Sequence, residues 1–115
     1  MKPTIERTTF GAITIAGQVF KHDVVIRSDG TVEKRRKASG TSHTISLDEA
    51  RAVYRQGAER LIVGTGQFGR VVLSADAAAY FREMGCAVDL LPTRRAAQAW
   101  NEAEGAVIGL FHLTC

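Results

Sequence analysis

Cysteine is scarce in this sequence: Cys86 and Cys115 are the two in 115 residues. That is too few for a disulfide scaffold, and nothing else marks a secreted chain. One bridge is allowed by the count, but a reducing, cytoplasmic compartment is the expectation. The first ten residues carry neither an apolar signal core nor an Arg/Ser-rich transit character. No apolar run nears the roughly 20 residues that span a bilayer, so no membrane insertion is expected. Linkers and low-complexity segments are missing too. A broad charge bias is also lacking. The net charge is +3, and the consecutive Lys34, Arg35, Arg36 and Lys37 more than account for it. So short a basic run reads as a solvated strand end, with a phosphate-facing or acidic-partner patch as the alternative. No helix-turn-helix and no aromatic RNA-binding motif accompanies it, so a nucleic-acid partner is not expected.

What is present is ordinary for a globular chain: 45% hydrophobic and 23% charged residues. A chain this long buries about two-thirds of its unfolded surface, so neither metal nor disulfide is needed for a core. One domain is expected over residues 1–115, with a β-rich half at about 9–36 and helix–strand units at about 46–115.

The β signals run from Phe10 to Arg36. Ile13-Thr14-Ile15 begins an alternation, Ala16-Gly17 breaks it, and Val19-Phe20 resumes it. Asp23-Val24-Val25-Ile26 is a β-branched run, and Ser28-Asp29-Gly30 is a turn before Thr31-Val32-Glu33-Lys34. Two hairpins or a three- to four-stranded meander are predicted. A Ser/Thr/Gly-rich loop over Lys37–Thr44 follows.

From Ser46 a cap–helix–glycine–strand unit recurs three times. Ser46 with Glu49 reads as a capping box. Leu47, Ala50, Val53 and Tyr54 form the apolar face, and Gly57 is the predicted stop. Arg60–Gly64 is the strand. Ser74 caps the second helix, Ala77, Phe81 and Met84 line it, Gly85 stops it, and Cys86–Leu91 is its strand. Pro92 breaks that strand and Thr93 reads as the third cap. Ala96, Trp100 and Ala103 line the third helix, Gly105 stops it, and Ala106–Leu113 is the last strand. Leu61-Ile62-Val63 and Ala106-Val107-Ile108 are apolar throughout, which implies burial on both faces and a largely parallel sheet.

Gly64-Thr65-Gly66-Gln67-Phe68-Gly69 fits G-x-G-x-x-G, with Asp89 about 20 residues further on. A dinucleotide site needs those glycines to open the helix, yet Arg70-Val71-Val72-Leu73 intervenes before the Ser74 cap. A structural loop is the expectation, and no cofactor is. His22, His43 and His112 have no ligand spacing; a zinc site from them and the cysteines would require distant segments to converge, so no metal is expected. Cys115, His112 and Asp89 are the one candidate nucleophile–base–orienter set, set against a structural reading of the chain end. Asp23, Asp29, Asp48 and Asp76 fall at turns and caps, where structural roles are expected.

Several stretches stand together in order: Phe10-Gly11, Gly17, Asp23-Val24-Val25-Ile26, Asp29-Gly30, His43, Ile62-Val63-Gly64-Thr65-Gly66, Gly69, Asn101 and His112-Leu113-Thr114-Cys115. Over roughly Ile5–Cys115 they resemble a small α/β domain family of unknown function. That family includes the mitochondrial NADH dehydrogenase (complex I) assembly factor and the adipogenesis-associated Mth-type domain protein. The resemblance implies an α/β layered fold with a mixed, mostly parallel central sheet flanked by helices, plus an N-terminal β-hairpin layer. One sheet strand then runs antiparallel. Phe20 and Trp100 stand where tyrosines are expected, which keeps an aromatic and removes a phenol. No reaction is implied. The functional expectation is a non-enzymatic interaction domain with a protein partner, assembly-factor-like for a respiratory membrane complex. The alternative is a small-ligand-binding protein or small enzyme with a site at the Gly64-Thr65-Gly66 loop, at the carboxyl edge of the sheet. Its candidate pocket is His43, Gly64, Thr65, Gly66, Thr93, His112 and Cys115. His112 joins it if the last strand is parallel to Arg60–Gly64.

Overall fold

The computed structural model describes residues 2–36 and 43–115. The chain forms ten strands and three helices among these residues. The core is a five-stranded sheet of β4 (Val24–Arg27), β5 (Val32–Lys34), β7 (Arg60–Thr65), β9 (Ala87–Leu91) and β10 (Val107–His112). Its order is β5-β4-β10-β7-β9. β10 runs parallel to β7 and β7 to β9, while β4 lies antiparallel to β10 and β5 to β4. The sheet is therefore mixed, as the resemblance implied and the crossover argument did not.

Strand parity divides the core into two layers. Val24, Ile26, Ile62, Val107 and Phe111 face α3 (Thr93–Glu102) and a three-stranded antiparallel sheet. That sheet is β1 (Ile5–Thr9), β2 (Ala12–Ile15) and β3 (Gln18–Phe20). Val25, Leu61, Val63, Ile108 and Leu110 face α1 (Leu47–Val53) and α2 (Ala75–Glu83). A short parallel pair, β6 (Thr44–Ile45) and β8 (Val72–Leu73), lies outside both sheets. Every residue of β10 is buried, as its unbroken apolar character predicts. Asn101 ties α3 to β1 through both its amide and its carbonyl on Ile5. Among the described residues no helix is long and apolar enough to cross a membrane.

Several local expectations are corrected. Of the two readings of the β-rich half, the two hairpins hold and the single meander does not: β2 and β3 pair in the three-stranded sheet, which β1 completes, and β4 and β5 pair in the core sheet. The Ser46 hydroxyl accepts from the Glu49 amide, but the Glu49 carboxylate goes to Arg35, so only half of the capping box forms. α1 ends at Val53, four residues before Gly57; Tyr54 takes up extended backbone there, and its ring stands edge-on against Tyr80. Met84 is exposed instead of lining α2. Thr93 is not a cap; Pro92 holds that position and Thr93 is the first helical residue. The basic run is not uniformly solvated: Arg35 is buried. Lys37 and most of the predicted Lys37–Thr44 loop lie outside the described residues.

Candidate functional site

β10 and β7 pair in parallel register up to His112 opposite Thr65, so both strands end at the same edge. Gly66 then turns the chain with φ +104°, a left-handed conformation that a side chain disfavours. A Cβ there would lie 2.6 Å from the Cys115 carbonyl oxygen and 2.9 Å from His112 Cδ2. Gly64 clears space in another way: a Cβ on it would meet Phe111 at 2.7 Å and Thr93 Oγ1 at 3.1 Å. The Thr93 hydroxyl donates to the His112 carbonyl at 2.6 Å and accepts from the Gly66 amide at 2.9 Å. It thus clamps the two strand ends to the start of α3.

His112 is buried, and its Nδ1 lies 2.7 Å from Asp23 Oδ2. A carboxylate only accepts, so His112 Nδ1 donates to Asp23 and Nε2 is the ring nitrogen left on the other side. The Thr114 hydroxyl stands 3.3 Å from that Nε2. Asp23 Oδ1 accepts from the Leu113 amide at 3.0 Å, and Oδ2 also accepts from Arg35 Nη1 at 3.1 Å. Burial pushes the Asp23 carboxyl up; the His112 ring, the Leu113 amide and Arg35 outweigh it and hold it below its ordinary value. Burial lowers Arg35, but the bidentate Glu49 carboxylate at 2.6 and 3.1 Å, together with Asp23, more than reverses that.

His43 packs edge-on against His112 with ring centroids 5.5 Å apart. Its Nε2 lies 3.4 Å from Cys115 Sγ. One ligand atom from each of His43, His112 and Cys115 falls within 4.8 Å of the other two. His43 and Cys115 are half-buried, so the group opens toward solvent. A cavity of about 320 Å³ adjoins it, lined in part by Gly11, His22, Asp23, His112 and Thr114.

The seven sequence-predicted pocket residues lie around this edge. His43, His112 and Cys115 meet directly, Gly66 and Thr93 bond to or abut them, and Gly64 and Thr65 end β7 behind them. Asp89 does not take part: it pairs with Arg60 at 2.7 Å on a strand away from His112. Asp23 holds the orienting position instead, a role that its expected turn position concealed. Cys86 is buried against α2, where burial raises its thiol pKa, and it forms no bridge with Cys115. His22 contacts the Asp23 carbonyl and Phe20. The Gly64–Gly69 turn is separated from α2, which starts at Ala75.

The family model described as "Protein of unknown function (DUF498/DUF598)" matches residues 5–111. The chain belongs to the DUF498/DUF598 family. The matched span contains Asp23, His43, Gly66 and Thr93, and His112 and Cys115 follow its end. The chain is similar to the conserved hypothetical protein PH1505 from Pyrococcus horikoshii OT3, at 28% identity and TM-score 0.85, over 97% of this chain and 99% of that one. It is similar to the protein MT938, at 28% identity and TM-score 0.79, over 99% and 100% of the two chains. A Bordetella pertussis protein described as a Mth938-like domain shares the fold at 17% identity and TM-score 0.77, over 96% and 85%. None of the curated proteins matches.

Proposed function

We propose that this domain binds a thiophilic transition-metal ion, with zinc as the type case, on Cys115 Sγ and the Nε2 atoms of His43 and His112. The observation that carries the reading is the convergence of these three side chains within 4.8 Å from segments far apart in sequence. Metal–nitrogen and metal–sulfur bonds of about 2.0–2.3 Å at a tetrahedral angle put ligand atoms about 3.3–3.6 Å apart. The 3.4 Å between Cys115 Sγ and His43 Nε2 already has that spacing. Asp23 on His112 Nδ1 is the carboxylate that fixes the orientation of a ligating imidazole. Three protein ligands leave a fourth position open for water or a small ligand, as in catalytic zinc sites.

Cobalt titration of the untagged protein tests this. One ion per chain is expected, with a thiolate charge-transfer band and a Kd below about 1 μM, near 8 kcal/mol. Cys115→Ser removes the band and weakens binding at least 100-fold while the metal-free protein melts like the parent. Asp23→Asn weakens it by about 10–100-fold. Binding weaker than about 100 μM, or binding that survives Cys115→Ser, overturns the reading.

A second reading keeps the expected protein partner, and one observation favours it. Phe10 and Phe68 are 64% and 72% exposed. Each stands on a turn tied to the segment that bears Cys115, since Gly11 N donates to Leu113 O and Gln67 N to Thr114 O. Two exposed aromatic rings beside a site suit a partner that closes over it. A partner recovered from the native cell by the parent and lost with Phe10→Ser/Phe68→Ser supports this reading; equal recovery by both refutes it.

A further inference from the structure

A larger cleft lies elsewhere, between the β4–β5 hairpin and α1, and it is basic. Its volume is about 790 Å³, within the range of small-molecule sites. Six of its ten lining residues are cations: Arg27, Lys34, Arg35, Arg36, Arg51 and Arg55. Glu33 is the one acid among them. Val25, Ala52 and Val53 add apolar wall.

Local structure explains part of this charge. Arg55 Nη1 donates to the Ala52 and Tyr54 carbonyls, and Arg27 Nη1 to the Val53 carbonyl, at the negative end of α1. Arg27 also pairs with Glu33 at 3.3 Å, and Arg35 is neutralised by Glu49 and Asp23. What remains is an excess. Among the described residues Lys34, Arg36 and Arg51 form no ion pair, and all three are exposed. Arg27 is only 8% exposed, and its buried Nε has no hydrogen-bond partner. Evolving a buried guanidinium with an unsatisfied donor beside three uncompensated cations is costly unless an anion completes the group.

We propose that this cleft binds a small phosphorylated molecule with at least a diphosphate's charge, its apolar or aromatic part against Val25, Ala52 and Val53. Arginine forks match phosphate oxygens bidentately, and a low-dielectric cleft wall strengthens them. An isolated phosphate would leave most of the volume and the apolar wall unused.

Calorimetric titration with ADP tests this, in EDTA so that no metal bridges the phosphates. A Kd below about 100 μM at low salt is expected, near 5.5 kcal/mol. Binding should perturb the amide resonances of Val25, Glu33 and Val53. Arg36→Glu/Arg51→Glu should weaken binding at least tenfold without moving the melting temperature, because both side chains are exposed. Cys115→Ser should leave it unchanged, which separates this cleft from the metal site. A Kd above about 1 mM, or binding undiminished in the double variant, overturns the proposal. Tighter binding of a short single-stranded RNA than of ADP, lost in the same variant, overturns it in favour of a nucleic-acid surface.

Discussion

Gly66 shows how one residue can serve backbone and site together. Its φ of +104° penalises a side chain, and the space a Cβ would need is taken by the Cys115 carbonyl 2.6 Å away. Gly66→Ala should cost about 1–3 kcal/mol, measured by thermal unfolding. It should also displace the residues that carry the thiol, so cobalt binding falls in the same variant. A variant that melts like the parent would show that the turn yields. Thr93 is the complementary case. A threonine after a proline reads as a cap, yet its hydroxyl spans Gly66 and His112. No local pattern announces a hydroxyl whose partners lie 27 and 19 residues away.

At the scale of elements, β10 decides the architecture. It lies between β4 and β7, and Phe111 fills the space that Gly64 leaves open. Phe111→Ala should cost about 3–5 kcal/mol in chemical denaturation. Against a total of about 5–15 kcal/mol, that lowers the yield of folded protein. A loss under about 1 kcal/mol would mean that the β7–β10–α3 layer re-forms around the gap. Elements with a strong period or a stop were legible: α2 between Ser74 and Gly85, β7, and β10. β1 was not, because Ile5 is the only buried residue of Ile5-Glu6-Arg7-Thr8-Thr9 and no alternation survives. β6 is two residues long and exists by pairing with β8, a contact 28 residues away that no window of sequence reads. Tyr54, just past the end of α1, packs against Tyr80 of another helix, a contact that no local pattern reads.

Across the whole molecule, the candidate pocket was legible as a set of residue types at one sheet edge, but its charge relay was not. Asp89 is the orienter that the sequence reading offers His112, and Asp23 is the actual one because β4 inserts antiparallel beside β10. That placement is a property of the sheet order, and sequence distance is no guide to it. The burial of Arg35 follows from the same order, since the β5 edge sets it between Asp23 and Glu49. The sheet order has another consequence, for synthesis. The middle strand of the sheet is the last of its five to be translated, after both of its neighbours. Until residues 107–112 clear the ribosome, β4 and β7 each present an open edge, and the growing chain holds two half-sheets with nothing to join them. This domain must therefore wait, unfinished and adhesive, for its final segment, and the same segment that closes the sheet delivers His112 to Asp23.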